Sequence, residues 1–279
     1  MDFNKSLLKE AENLNRASLE IIGKSVMGKE LFLIRMGNGD KKLFLSAAHH
    51  ANEWITALIL MRFLKEADEN EELLGNTEIF VLPLANPDGA ALVRGEISGT
   101  FYERALKISS EFKDIPFPSG WKANILGYDL NLSYPANFYK AKRIKGSKGF
   151  VKPAPRDYPG EFPLCQPEAR AIYKLVCNND FDMLLSFHTQ GKVIYHKYGN
   201  YNPKGSIELA KIMAKESGYN YEETPEESGN AGLKDWFIKK YNRPGFTIEA
   251  GQGISPLPLS DFDEIYNDNL KIILSALRY

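Results

Sequence analysis

The residue pattern predicts one α/β domain over residues 1–279, a mixed, mainly parallel twisted sheet with helices on both faces. Three observations lead there. Short β-like apolar runs alternate with segments of helical period, which is the signature of a helix-covered parallel sheet. No Pro/Gly/Ser-rich linker separates two cores, and no repeat or low-complexity tract interrupts the chain. The composition, with 43% hydrophobic and 25% charged residues in 279, is that of a globular protein able to bury roughly 75% of its unfolded surface.

Taken in order, Asp2–Ile22 carries Leu7, Leu8, Ala11 and Leu14 at helical spacing and predicts a leading helix. Glu30–Arg35 and Lys42–Ala47 read as strands around the turn residues Gly37-Asn38-Gly39-Asp40. Glu53 to about Glu72 is helical, with Ile55, Leu58, Ile59 and Phe63 on one stripe. Glu78–Leu84 reads as a strand stopped by Asn86-Pro87-Asp88-Gly89. Gly89–Pro167 shows little periodicity and predicts loop, including the basic stretch Lys140–Lys152 as a solvated segment. Beyond it the pattern predicts a helix over Pro167–Asn178, a buried strand over Phe181–His188 and a helix over Pro203–Ser217. A short helix at Ala231–Tyr241, a strand at Gly245–Ala250 and a closing helix at Asp261–Leu277 complete the chain.

Charge and composition exclude several functions. Lys+Arg number 35 against 36 Asp+Glu, a formal net charge of -1, which argues against nucleic acid, where affinity is mostly phosphate neutralisation. No apolar run approaches the ~18 residues of a membrane span, and the charged N-terminal stretch lacks the apolar core of a signal peptide. Two cysteines, Cys165 and Cys177, suit a reducing compartment, so the expected location is the cytoplasm. Gly23–Glu30 nearly spells a phosphate-binding loop, but Glu30 stands where a hydroxyl should hold Mg²⁺, and a strand follows where a helix should.

The histidines are His49, His50, His188 and His196. His50 and Glu53 stand three apart where a strand gives way to a helix, and His188 closes another strand. Two imidazoles and a carboxylate at strand ends can form an open zinc site with a position left for water. On spacing alone, Glu53 as a helix cap and His188 as a core histidine account for the same residues.

Leu45–Trp54 (LSAAHHANEW), Asn86–Gly89, Trp121–Asn131 (WKANILGYDLN), Ser186–His188 and Phe246–Glu249 (FTIE) resemble, in the right order, the zinc carboxypeptidase A-type family. The resemblance runs from about Ile22 to the C-terminus. It implies one Zn²⁺ held by His50, Glu53 and His188, Glu249 as general base, and Asp129 orienting a zinc histidine. Departures from the family pattern are equally informative. Asn131 is kept from the family's Asn-Arg carboxylate clamp, but Leu132 replaces the arginine, which implies weakened action on an ordinary free C-terminus. Lys122 follows Trp121 where the oxyanion arginine is expected, Asn52 replaces the arginine of the metal motif, and the mobile tyrosine has no counterpart. These changes, with Pro155–Gly160 (PRDYPG), His188–Gly191 (HTQG) and Glu249–Gly253 (EAGQG), resemble the γ-D-glutamyl-diaminopimelate peptidase branch.

The implied function is hydrolysis of the γ-D-glutamyl–diaminopimelate amide in a small peptide or muropeptide. Asn52, Asn131 and Lys234 are the substrate-binding candidates, Lys234 because it precedes the Asp235-Trp236 pair at the base of the family's specificity pocket. Two other readings stand beside it: a conventional zinc carboxypeptidase whose missing arginine is supplied from elsewhere, and a metal-free peptide-binding module. The retained Glu249 counts against the module.

Overall fold

The computed structural model describes residues 2–279. In chain order the elements are α1 (Phe3–Glu12), β1 (Ala17–Lys24), β2 (Glu30–Met36), β3 (Lys41–Ala47), α2 (Ile55–Glu69), β4 (Thr77–Leu82), α3 (Pro87–Val93), α4 (Thr100–Ser109) and α5 (Phe138–Ser147). They continue with α6 (Pro167–Asn178), β5 (Met183–His188), β6 (Val193–Tyr195), α7 (Ser206–Ser217), β7 (Asn220–Glu222), α8 (Leu233–Tyr241), β8 (Gly245–Glu249) and α9 (Phe262–Arg278).

The strands form one eight-stranded sheet in the order β1-β2-β4-β3-β5-β8-β6-β7. The centre, β4-β3-β5-β8, is parallel, while β1, β2 and β6 attach antiparallel. Every residue of β5 is buried, as expected of a parallel strand covered on both faces. Alternation along the strands assigns the faces. Leu43, Leu45, Leu185, Phe187 and Ile248 pack with α1, α2, α7 and α9. Phe44, Phe80, Leu82 and Leu184 pack with α6 and α8 on the opposite side.

The predicted leading helix over Asp2–Ile22 is corrected: it ends at Glu12, and Ala17–Lys24 is an edge strand paired with β2. Asp68 drives the break by accepting the Asn15 and Arg16 backbone N–H groups at 3.1 and 2.7 Å, so tertiary bonding overrides local helical period. Gly23 belongs to this strand, and a Cβ there would lie 2.7 Å from Ala171 Cβ of α6. That close approach, and not a phosphate, is what the glycine serves.

The loop predicted for Gly89–Pro167 is corrected as well, since it holds α4 and α5 and the end of α3. Asn86-Pro87 starts α3 instead of stopping regular structure. Asn86 Oδ1 accepts the Gly89 N–H at 3.0 Å, and Pro87 occupies the first turn, where its missing N–H costs nothing. Within Lys140–Lys152, Lys145 is a buried cation on α5, its Nζ 2.5 Å from Asp157 Oδ1. β6 and β7, three residues each, are too short to leave a periodic signal.

Candidate metal centre and cleft

Three parallel strands end side by side, and the candidate metal residues and Glu249 sit at or just beyond those ends, the usual position for a site in such a sheet. His188 closes β5 and Glu249 closes β8, paired in register. Beyond β3 the chain reverses at Ala48, φ 52°, whose N–H donates to Thr56 Oγ1 at 3.0 Å. A single helical turn, Ala51–Glu53, then leads into α2. The turn brings His50 and Glu53 over the strand ends.

His50 Nδ1 lies 2.9 Å from Glu53 Oε1, and His188 Nδ1 lies 2.9 Å from Glu53 Oε2. The two Nδ1 atoms are 3.2 Å apart. Each imidazole is held from behind through its other nitrogen. His50 Nε2 is 3.2 Å from Asp129 Oδ1, and His188 Nε2 is 3.2 Å from Ser186 Oγ. A proton on Nε2 facing Asp129 leaves the Nδ1 lone pair of His50 pointing inward, the arrangement in which an outer partner orients a metal ligand. One ligand atom from each of His50, Glu53 and His188 falls within 4.8 Å of the others, so these three could hold a metal ion. Two imidazoles and a carboxylate suit zinc and leave a fourth position free.

The electrostatics agree with a cation site. Burial opposes charge on His50, yet Glu53 and Asp129 outweigh it and push the imidazole up to about 9. A field that favours a proton there also favours a metal ion. Asp129 is held well below the usual carboxylate range, burial being overcome by His50 and Lys145. Burial, with Glu53 adding to it, raises the Glu249 carboxyl, while His188, Lys122 and His50 pull the other way. A raised carboxyl beside a metal site is a group placed to accept a proton.

Two cavities meet over the site. The inner one, about 140 Å³, is lined by His50, Lys122, Asp129, Asn131, Lys234 and Glu249 among others. The outer one, about 480 Å³, is lined by Asn52, Lys122, Thr189, Ser255 and Glu249 among others. Lys122 and Glu249 face both. Glu53 and His188 lie buried beneath them. All nine residues singled out in the sequence therefore converge on one cleft.

Their contacts differ in what they leave for a ligand. Lys122 Nζ is 2.9 Å from Glu53 Oε1. Its backbone is fixed by donation to Pro155 O at 2.7 Å and by acceptance from Ala51 N–H at 3.0 Å. Asn52 Nδ2 donates to Ser119 O at 3.1 Å, tying a loop of the outer cavity, and its Oδ1 is buried without a partner. Asn131 Oδ1 accepts the Leu233 N–H at 3.2 Å. Lys234 lines the inner cavity, but its ammonium is already engaged at 2.7 Å by Lys197 O, at 2.8 Å by Thr224 Oγ1 and at 2.7 Å by Asp235 Oδ1. Tyr195 and Arg156 line both cavities without having been singled out as site residues in the sequence. Tyr195 sits on a strand too short to be read, and Arg156 lies in a stretch without periodicity.

The family model described as zinc carboxypeptidase matches residues 6–272. The chain is 41% identical over 273 residues to γ-D-glutamyl-L-diamino acid endopeptidase 1 of Lysinibacillus sphaericus, covering 92% of this chain and 66% of that protein. It is 35% identical over 272 residues to the protein YqgT of Bacillus subtilis (strain 168), covering 92% of this chain and 70% of that one. The chain thus spans about two thirds of these relatives' length. Among solved structures, bovine thrombin-activatable fibrinolysis inhibitor in complex with tick carboxypeptidase inhibitor superposes with a TM-score of 0.74 at 17% identity, covering 98% of this chain and 94% of that one. Carboxypeptidase A from Helicoverpa armigera gives 0.71 at 19%, covering 98% and 70%. A match over nearly the whole length, with the metal-competent triad and the adjoining glutamate in place, makes the chain a member of the zinc carboxypeptidase family of metallopeptidases.

Proposed function

We propose that the chain is a zinc peptidase that hydrolyses the γ-D-glutamyl–meso-diaminopimelate amide of cell-wall stem peptides, with one zinc held by His50, Glu53 and His188. The observation that carries the chemistry is the convergence of those three residues beside Glu249 at the ends of adjacent strands. The substrate class is supported by the 41% identity to a protein named for cleaving γ-D-glutamyl-L-diamino acid bonds and by the apolar Leu132 in the inner cavity.

When bound, zinc supplies a Lewis acid and brings a water's pKa down towards ~7. In the proposed roles, Glu249 takes the proton of the attacking water and delivers it to the leaving amine nitrogen. Lys122, anchored through its backbone, brings a point charge to the carbonyl oxygen as negative charge develops there. Asp129 keeps His50 in one tautomer and one orientation. Asn131 is held by Leu233 and shapes the inner cavity, while Asn52 joins two loops of the outer one. Lys234 contributes a cation to the inner cavity. Because Asp235, Thr224 and Lys197 already engage it, it supports only a modest preference for a second carboxylate on the leaving residue. The two unpaired cysteines support a reducing compartment, the cytoplasm.

The test compares matched N-acetylated γ- and α-linked glutamyl-diaminopimelate peptides with zinc-loaded protein. A site built around the γ-linkage should favour it by at least ~10²-fold in kcat/KM. Equal rates, or preference for the α-linked peptide, would support the conventional carboxypeptidase instead.

A further inference from the structure

Four cations line the inner cavity: Lys122, Lys145, Arg156 and Lys234. Three of them have their charged ends engaged. Lys122 Nζ is held by Glu53, Lys145 Nζ by Asp157 at 2.5 Å, and Lys234 Nζ by Asp235, Thr224 and Lys197. Arg156 differs. Only its Nε is used, 2.8 Å from Asp157 Oδ2, and among the described residues neither terminal nitrogen has an acceptor. Its side chain is 43% exposed and lines both cavities, with Lys122, Tyr195, Ser228 and Glu249.

The segment carrying Arg156 is fastened to the site on both sides. Pro155 O accepts the N–H groups of Lys122 and Ala123 at 2.7 and 2.9 Å. Asp157 N–H donates to Asp129 Oδ2 at 3.1 Å, and Tyr158 O accepts the Asp129 N–H at 2.8 Å. Arg156 is therefore suspended between the residue that faces the scissile carbonyl and the one that orients His50. Asp157 holds the guanidinium by its inner edge and leaves the outer pair of nitrogens available as a fork. A fork of two parallel N–H donors is the shape that recognises a carboxylate.

We propose that Arg156 anchors the α-carboxylate of the leaving residue. This rests on the peptidase reading above and adds the group that sets the substrate's register. Distance along the substrate selects that carboxylate. The leaving residue's α-carboxylate is attached to the carbon that bears the scissile nitrogen, so its anchor must stand close to Glu249 and Lys122, as Arg156 does. The free α-carboxylate of a γ-linked glutamyl residue is separated from the reacting carbonyl by the length of the side chain. Leu132, buried in the inner cavity, offers a carboxylate nothing.

The experiment uses zinc-loaded protein and three forms of the γ-D-glutamyl-diaminopimelate peptide: the free acid, the form amidated at the leaving residue's α-carboxylate, and the form amidated at the glutamyl α-carboxylate. For the wild type, amidation on the leaving residue should lower kcat/KM by about 10–100-fold. Arg156→Gln should bring the free acid down to the level of that amide, keep its zinc, and respond to glutamyl amidation as the wild type does. Arg156→Lys should recover part of the preference. Calorimetric binding of free diaminopimelate against its α-amide, in wild type and Arg156→Gln, needs no turnover and should show the same loss of discrimination. If the wild type hydrolyses no γ-linked peptide, the peptidase reading fails and calorimetry still decides Arg156. Undiminished discrimination in Arg156→Gln overturns the proposal, as does a variant that loses its response to glutamyl amidation instead.

Discussion

His50 and His188 become a pair of inward-facing donors through what stands behind them. Asp129 and Ser186 each take an outer ring nitrogen, and only then do both Nδ1 atoms meet the Glu53 carboxylate. Removing a ligand would abolish the site, so the more discriminating change is at the support. Asp129→Ala should leave all three candidate ligands in place yet weaken zinc affinity by about 10–100-fold, measured by competition with a metal-sensitive dye. Unchanged affinity would mean that His50 is oriented by something else. Glu249 is separable from the metal by the same logic. Glu249→Gln preserves shape but cannot accept a proton, so turnover should fall by about 10²–10⁴ with zinc content intact. A near-normal rate would remove Glu249 from the chemistry.

At the scale of elements, what the sequence revealed follows the strength of periodic signals. The central strands β3, β5 and β8 are buried apolar runs, and their ends carry His188, Glu249 and, one turn onward, His50 and Glu53. Periodicity placed the candidate metal residues at strand ends, but the ordered family motifs, not the periodicity, singled them out as ligands. β1 was not legible, because Leu19 and Ile21 are exposed on an edge strand and the preceding helix carried the pattern past its true end. α4 and α5 were hidden in a Gly/Pro-rich stretch, and Arg156 with them, since its position depends on Pro155 and Asp157 bonding to distant residues. Another contact that no local pattern announces lies just beyond that stretch. Glu168 at the start of α6 accepts the Val26 N–H at 3.1 Å across 142 residues. Burial, with Asp88 adding to it, pushes its carboxyl up from 4.5 to about 7. The folded state thus retains a proton that the unfolded chain releases, so this contribution is full below about pH 4.5 and is lost as pH rises through about 7. Its size is of order 2–4 kcal/mol. Zinc-free wild type should lose more urea resistance between pH 5 and pH 8 than zinc-free Glu168→Gln. An identical loss in both would place the titration elsewhere.

For the whole molecule, the sheet is packed on both faces by apolar clusters. Lying on either side of β3 and β5, they fix the strand ends, and the strand ends fix the site. No helix among the described residues is long and apolar enough to cross a membrane. The family was readable because most of its motifs lie at strand ends, with Trp121–Asn131 the exception in the long segment before α5. The substrate was less so, because the cleft walls are built from loops whose contacts are long-range. The central claim, a zinc-dependent hydrolase of the γ-D-glutamyl–diaminopimelate bond, is tested most directly by mass spectrometry of the products from L-alanyl-γ-D-glutamyl-meso-diaminopimelate with and without a chelator. The account predicts L-alanyl-D-glutamate and free diaminopimelate as the sole products, absent when zinc is removed and restored when it returns. Release of alanine, or cleavage that continues unchanged in chelator, would contradict it.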